Sequence, residues 1–309
     1  MAVNAAAVGD AGRAEGRGRV DTARHFWAAL VLGWRVESNW ADPVLFAIYS
    51  VIRPISSMLL LTMMVAIVGG SADASARTFV ILGSAVWALL VAGISGPAWS
   101  VLEDRERYRT LKYLYTSPAT FLVLLAGRGS ARLITGALGT LVAILFAIAL
   151  LGLRIDPAVV DWPLLAVTLV LGLPPVLALG IVLAAVCLQT RQESWNYPDA
   201  FSGATFLVSG VVFPLAVLPG PLEALGLVNP ITWWVAGVRL AILPAGPSSI
   251  GGAGSLWTAV TGSAAPDPLT IVSALFLTGA MTTLVATAMF RESERRARDR
   301  GLLDRTTGS

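Results

Sequence analysis

Residues 162–187 read WPLLAVTLVLGLPPVLALGIVLAAVC and contain no charged side chain. A helix needs about 20 consecutive apolar residues to cross the hydrocarbon layer of a bilayer. The rest of the chain has a similar character, because 56% of its 309 residues are hydrophobic, only 13% are charged, and the mean hydropathy is +0.74. The sequence therefore predicts an all-α integral membrane protein and excludes most soluble enzyme folds.

Five other apolar runs flank this stretch. Residues 221–268 are only partly apolar, and Asn229-Pro230 and Arg239 interrupt their first half, which predicts short re-entrant or interfacial helices. The second half is a loop rich in Gly, Ser and Pro. The predicted spans are 43–69, 78–102, 131–153, 162–187, 201–219 and 269–290, so the re-entrant hairpin would precede the last span.

The basic residues set the predicted orientation. Of the 22 Lys and Arg residues, 18 fall on one side of the predicted spans and three on the other. Arg53 is placed near the boundary, where its guanidinium can extend to the interface. Because cytoplasmic loops carry the excess of basic residues, both termini are predicted to be cytoplasmic. The predicted division is a cytoplasmic segment 1–42, a six-span membrane domain 43–290 and a cytoplasmic tail 291–309.

An amphipathic helix is predicted before the first span. Trp27, Leu30 and Trp34 recur at helical spacing among polar residues within 22–41. This pattern is typical of a helix that lies along the membrane surface with tryptophans at headgroup level. The alternative is a helix packed on the cytoplasmic side. Residues 1–21 have no apolar run and do not predict a signal peptide.

The sequence offers few of the residues that ATP binding, metal binding or serine-protease catalysis would require. Lys112 is its only lysine and follows no glycine-rich loop, so no P-loop is predicted to hold ATP. A single Cys and a single His, Cys187 and His25, leave few ways to bind a metal, and no metal is expected. The GISG stretch at 93–96 matches a serine-protease motif, but His25 precedes the first span and cannot serve Ser95 as a base. Helix packing is the simpler interpretation of these small residues.

The loop between the second and third spans is the most informative cytoplasmic segment. Residues 103–118 read EDRERYRTLKYLYTSP, a cluster of charge followed by an amphipathic pattern. Tyr108, Leu111 and Tyr115 share one helical face. The pattern predicts a short helix across the ends of the spans, onto which a soluble partner docks. The alternative is a solvated loop whose charges only fix the topology.

This segment resembles the coupling-helix region of type-2 ABC exporter permeases, which export drugs, polysaccharides and lipids. The shared features are an acidic-Arg start, a Thr-Leu core and a Ser/Thr-Pro end. Arg109 stands where this family commonly has Gly, and Lys112 where it commonly has Glu. The matching positions are Glu103, Glu106, Arg107, Thr110, Leu111, Leu114, Ser117 and Pro118, and together with Tyr108 and Tyr115 they form the predicted ATPase contact.

A second match to the same family lies after the predicted fifth span, in residues 209–239. The resemblance implies a re-entrant hairpin that caps the exit of a transport pathway. Prolines are expected to break the helix there, and an Asn-Pro pair to start the next one. The matching residues are Gly210, Phe213, Pro214, Leu218, Pro219, Asn229, Pro230 and Arg239.

The resemblance implies the permease subunit of an ATP-driven exporter in a bacterial plasma (inner) membrane. Such a subunit would form a homodimer or a heterodimer among membrane lipids, and a separate ATPase subunit would bind ATP and Mg. No catalytic residue, cofactor or nucleic-acid site is expected on this chain. The substrate would be amphipathic or hydrophobic, either a drug or a lipid-like molecule. The alternatives are a secondary transporter and a membrane scaffold without transport, neither of which needs an ATPase.

Overall fold

The computed structural model describes residues 21–38, 42–68, 74–116, 119–190 and 194–299. These residues form helices, turns and loops, and no β-strand occurs among them. The helices are α1 (21–38), α2 (Pro43–Val68), α3 (Ala74–Leu102), α4 (Leu111–Thr116), α5 (Phe121–Leu150), α6 (Trp162–Gln189), α7 (Tyr197–Val208), α8 (Gly220–Val228), α9 (Pro230–Ile242), α10 (Leu256–Thr261) and α11 (Pro268–Asp299).

Five of these helices, α2, α3, α5, α6 and α11, are long and apolar enough to cross a membrane. The α8–α9 pair passes the same test but bends by 78° at its junction, so the described residues contain five or six spans. Large apolar side chains remain exposed on the outer faces of these helices, for example Ile67, Leu141 and Phe276. The prediction of an all-α, multi-pass membrane protein is confirmed.

The third span begins ten residues before the predicted start. The prediction began at residue 131, beyond Arg128, whereas α5 begins at Phe121 and includes Arg128 and Arg132. Both arginines pair with acidic side chains of the segment that follows α3. Pairing offsets the cost of placing a charge in an apolar helix. Hydropathy alone could not reveal these partners.

The predicted fifth span, 201–219, is wrong as a continuous helix. The α7 helix has 12 residues and ends at Val208, which gives a length of about 18 Å at 1.5 Å per residue. A typical hydrocarbon core is about 30 Å thick. Gly210, with φ +68°, turns the chain, and Pro214 and Pro219 oppose continuation of a helix. The apolar run therefore continues as irregular backbone instead of helix.

The central helix of the bundle is α3. Within the chain, 67% of its apolar span is buried, against 17% in α2. It lies between α5 and α6, and small residues allow the close approach. A Cβ added at Gly136 of α5 would lie 2.6 Å from Ala92 Cβ, and one at Gly180 of α6 would lie 2.7 Å from the Gly93 carbonyl oxygen. Close packing of this kind is a main source of attraction between helices in lipid.

The GISG stretch lies inside this three-helix contact. Gly93 packs against Val176 and Leu133, and Gly96 packs against Arg132. The Ser95 hydroxyl donates to the Val91 carbonyl at 2.6 Å within its own helix. These contacts give the motif a packing role.

The two ends of the bundle differ in chemistry. At one end, here the charged end, α3 passes into an acidic and basic turn, α5 begins, and α6 and α11 end. Phe121 stacks on Phe290 there, with ring centroids 5.8 Å apart. The opposite end holds the loops 151–161 and 243–267. At that end the Asp161 N–H donates to the Ala241 carbonyl at 2.9 Å, which joins the start of α6 to the end of α9.

Candidate functional site

The α3 helix continues beyond Leu102 as a π-helical turn, Glu103–Arg107, in which every residue is charged. We call it the charged turn. The Tyr108 N–H donates to the Glu103 carbonyl, and the Thr110 N–H donates to the Asp104 carbonyl, both at 2.8 Å. Arg109 has φ +53° and interrupts the helix before α4. The described part of 103–118 is therefore two short helical pieces, whereas a single amphipathic helix was predicted.

Asp104 fixes the charged turn to α5. Its side chain is 5% exposed and pairs with the equally buried side chain of Arg128. The Thr110 hydroxyl donates to the same carboxylate at 3.1 Å. Removing one member of a buried pair leaves an uncompensated charge, which typically costs about 3–5 kcal/mol. Sequence analysis missed Asp104, although an arginine inside an apolar helix signals the need for an acidic partner.

A second set of ion pairs links the charged turn to α1 through Arg132 of α5. Arg132, one turn beyond Arg128 on α5, lies 2.8 Å from Glu103 and 3.2 Å from Glu37 at the end of α1. Arg128 approaches the other Glu103 oxygen at 3.9 Å. Glu103 was predicted to be part of the ATPase contact. Its carboxylate instead pairs within the chain.

Arg105 ties the charged turn to α6. Its guanidinium donates to the carbonyls of Cys187 and Thr190 at 2.8 and 3.0 Å. Carbonyls at a helix C-terminus lack intrahelical partners and favour a nearby cation. Arg105 also pairs with Glu106 at 2.7 Å. Glu106, which was predicted to contact the ATPase, is therefore also paired within the chain. The charged turn is therefore attached directly to α5 and α6, and through Arg132 to α1.

Leu111 faces the interior of its own chain. It is 2% exposed and belongs to a cluster that includes Leu102, Phe121 and Leu125. Leu114 packs against the same cluster. The sequence predicted that Leu111 would contact a docked ATPase. The structure differs because the break at Arg109 turns this face toward α3 and α5.

The outward surface of the segment is aromatic and basic. Tyr108 is 40% exposed and Tyr113 is 65% exposed. The Arg107 guanidinium lies 5.5 Å from the centroid of the Tyr108 ring. Ser117, Pro118 and the side chain of Tyr115, all predicted contact residues, lie outside the described part of the structure.

At the opposite end, Arg239 of α9 binds Gly210, another residue of the second sequence match, and backbone near it. It is 5% exposed and donates to the carbonyls of Gly210, Val211 and Phe79. It also donates to the Ser249 hydroxyl at 2.5 Å. Backbone that leaves helical geometry at membrane depth needs such internal donors, because lipid supplies none. Arg239 therefore stabilises the irregular chain that follows α7.

The Asn-Pro pair starts α9 as predicted. The Asn229 side chain accepts from the Ile231 N–H at 3.0 Å, and Pro230 occupies the first turn. Pro214 and Pro219 precede a 3-10 turn and α8, and Phe213 and Leu218 are half-buried beside them. The second set of predicted residues thus lies along one continuous path from α7 to α9.

A groove of about 540 Å³ opens between α2, α3 and α5, with residues of α1 and α7 at its edge. Two tryptophans, Trp87 and Trp99, form aromatic walls. Sequence analysis did not find this groove, because five helices contribute its lining. The polar and charged side chains that line it are Glu37, Ser50, Arg53, Ser57, Ser84, Ser95, Arg132, Thr135 and Asp199.

The predicted N-terminal helix is present over 21–38. Small residues on one side pack closely on α5, since a Cβ added at Gly33 would lie 3.0 Å from Ala131 Cβ. Trp27 is 65% exposed, and Leu30 and Trp34 are half-buried. The location of this helix at a membrane surface stays a prediction.

The fold and the charged end define a multi-pass helical membrane protein with a polar, ion-paired junction between its second and third long helices. The sequence model of the family described as ABC-2 type transporter matches residues 25–243, more than half of the chain. The chain belongs to the ABC-2 type transporter family, as the resemblance at both motifs indicated. Membrane domains of this family are typically non-catalytic permeases that normally work with an ABC ATPase. A search of curated proteins found no match.

Proposed function

We propose that this chain is the permease subunit of an ATP-driven exporter that moves an amphipathic or hydrophobic substrate, drug-like or lipid-like, out of the cell. A separate ATPase subunit would bind ATP and Mg. One observation carries this proposal: buried and partly buried ion pairs and hydrogen bonds join the charged turn to α5 and α6, and through Arg132 to α1. A segment with no role beyond topology would not need such attachments.

The proposed route of coupling begins on the exposed side of the segment. An ATPase docks against Arg107, Tyr108 and Tyr113, which supply aromatic and cationic contacts of the type that dominates protein interfaces. Movement of the docked subunit then displaces the charged turn. The Asp104–Arg128 pair passes this movement to α5, and Arg105 passes it to α6. Exposed pairs are weak and mobile, so burial makes this linkage stiff.

The proposed pathway needs two copies of the chain or one copy and a related permease. The groove between α2, α3 and α5 supplies part of its wall. The bent α8–α9 pair would be a re-entrant hairpin at the exit, held by Arg239. In this proposal both termini and the charged end lie in the cytoplasm, α1 lies at the inner surface of a bacterial plasma membrane, and 243–267 is outside.

The deciding experiment is co-purification and substrate efflux with an ABC ATPase encoded beside this chain. Replacing Tyr108 and Tyr113 together by Ala should reduce ATPase association and efflux at least several-fold, with membrane insertion unchanged. Trp162→Ala is the matched control, because Trp162 is 58% exposed at the opposite end. Efflux by the permease without any ATPase would overturn the proposal in favour of a secondary transporter. Normal association and export by the double variant would overturn the docking surface.

A further inference from the structure

Arg53 lies within an apolar span and lines the groove. It is located ten residues after the start of α2, about 15 Å along the helix. Its neighbour Pro54 contacts α5 at Gly139, where an added Cβ would lie 3.4 Å from Pro54 Cγ. Gly139 is seven residues beyond Arg132 of the ion-pair network, about 10 Å further from the charged end. Arg53 is therefore deeper in the bundle than the boundary position that the sequence suggested.

Within the described residues, Arg53 has neither an ion pair nor a side-chain hydrogen bond. A charged side chain in a span is costly, and such residues usually face a cavity and mark a pathway. The groove also contains Arg132 and Glu37 near the charged end. The groove therefore offers the Arg53 side chain, which is exposed on α2, polar surroundings within the span.

The other charged residues of the groove have local structural reasons for their positions. Arg132 and Glu37 pair with each other at 3.2 Å. Asp199 is in the first turn of α7, where the helix N-terminus stabilises a carboxylate. Among the described groove residues, Arg53 is the charged residue whose position has no such explanation.

The wall of the groove beside Arg53 is suited to an apolar chain. Trp87 lines it and is held by Phe206, with ring centroids 4.8 Å apart. Trp99 lines it nearer the charged end, 5.7 Å from Trp195. Ala88, Val91 and Ala92 of α3 complete this side. A permanently charged cation in a groove with an aromatic and aliphatic wall complements a molecule with an anionic head and an apolar tail.

We propose that Arg53 binds the acidic headgroup, a phosphate or a carboxylate, of an amphiphile whose apolar tail lies against Trp87 in this groove. The inference rests on the proposed export function and names the substrate class of its pathway. Two sources share this chemistry: an anionic membrane lipid and an acidic amphiphilic solute.

The test measures quenching of tryptophan fluorescence in the full chain, reconstituted in phosphatidylcholine nanodiscs. The probes are dibromostearate, at alkaline pH where it is ionised, and its neutral methyl ester. We expect the parent to bind the acid about tenfold more tightly than the ester, since hydrogen bonds to charged groups are the stronger ones. Arg53→Gln should abolish this difference, and Arg53→Lys should keep most of it. Arg154→Gln, at an exposed loop arginine, is the control.

Equal affinity of the parent for acid and ester would overturn the inference and requires no variant. The inference would also be overturned if Arg53→Gln bound the acid and the ester with the same affinities as the parent. Phosphatidylglycerol in the discs distinguishes the sources: it displaces the acid if a lipid headgroup occupies the site and leaves binding unchanged if the ligand is a solute. The assay needs no ATPase. ATPase-driven efflux without acid-selective binding would therefore refute this inference alone.

Discussion

The guanidinium carbon of Arg239 lies 3.4 Å from the centroid of the Phe79 ring. This contact joins α9 to the beginning of α3, and the same guanidinium binds the Gly210 carbonyl at 2.6 Å. An aromatic face and several carbonyl oxygens thus surround a desolvated cation. The arrangement holds together three segments that are far apart in the sequence.

Replacing Arg239 by Met should strongly destabilise the protein. The change leaves the non-helical carbonyls of Gly210 and Val211 without this donor, and each buried group left unsatisfied costs about 1–3 kcal/mol. We expect a marked fall in the yield of monodisperse protein and in its apparent melting temperature by size-exclusion chromatography. Arg154→Met, on an exposed loop, should leave both unchanged. Equal stability of the two variants would contradict the stabilising role of Arg239.

Asp104 and Arg128 should be energetically coupled. Asp104→Asn or Arg128→Gln alone should lower stability by about 3–5 kcal/mol, because each leaves a buried charge unpaired. The double variant should lose less than the sum of the two single variants. The measurement is a double-mutant cycle on thermal unfolding.

The exposed Glu292–Arg296 pair, at 2.8 Å on α11, is the control for this cycle. Its coupling should be within about 0–1 kcal/mol. Additive effects at Asp104 and Arg128 would show that the charged turn is not fixed to α5 in the way described.

Arg109→Gly should stabilise the segment between α3 and α4. Arg109 has φ +53°, and a left-handed backbone costs a residue with a side chain about 1–2 kcal/mol relative to glycine. We expect a higher melting temperature or slower proteolysis at this segment. Arg107→Gly, inside the π-helical turn, should have the opposite effect, because glycine weakens a helical interior. If Arg109→Gly is the more destabilising variant, the left-handed turn is absent in solution.

Two glycine-to-alanine changes should have contrasting effects. A Cβ at Gly172 of α6 would overlap the indole ring of Trp234, whereas a Cβ at Gly203 of α7 meets no atom within 4 Å. Gly172→Ala should therefore cost about 1–3 kcal/mol through overpacking. Gly203→Ala should be neutral or stabilising by about 0.5–1 kcal/mol through helix propensity. Thermal unfolding of the two variants compares them directly, and a stable Gly172→Ala would exclude the close α6–α9 contact.

Cysteine labelling should place the 243–267 loop outside the cell. The background is Cys187→Ala, and the probes are Ala253→Cys, at an exposed loop position, and Arg295→Cys, at a side chain that is 74% exposed on α11. An impermeant reagent should label residue 253 in intact cells and residue 295 only after permeabilisation, as the positive-inside rule requires. The reverse pattern would invert the topology.

The sequence by itself determined the membrane class of this protein and most of its long helices. Charge-free runs such as 162–187 are unfavourable in water and long enough to cross a bilayer, so they predict a span without reference to any tertiary contact. The Asn229-Pro230 pair predicted the start of α9 correctly because an N-cap and its proline act locally. The resemblance at 103–118 likewise identified the segment that leads out of α3.

Only the tertiary structure decided which charges could enter the bundle and where an apolar run stops being helical. Arg128 belongs in α5 because Asp104, 24 positions away in sequence, neutralises it. Gly210 and the prolines break the helix within 201–219, and the tertiary structure supplies the donor that the broken backbone needs, since Arg239 of another helix binds the carbonyls of Gly210 and Val211. Leu111 points inward for the same kind of reason, since its neighbours Phe121 and Leu125 come from α5. Hydropathy and periodicity depend on neighbouring residues, whereas these outcomes depend on pairings between distant ones.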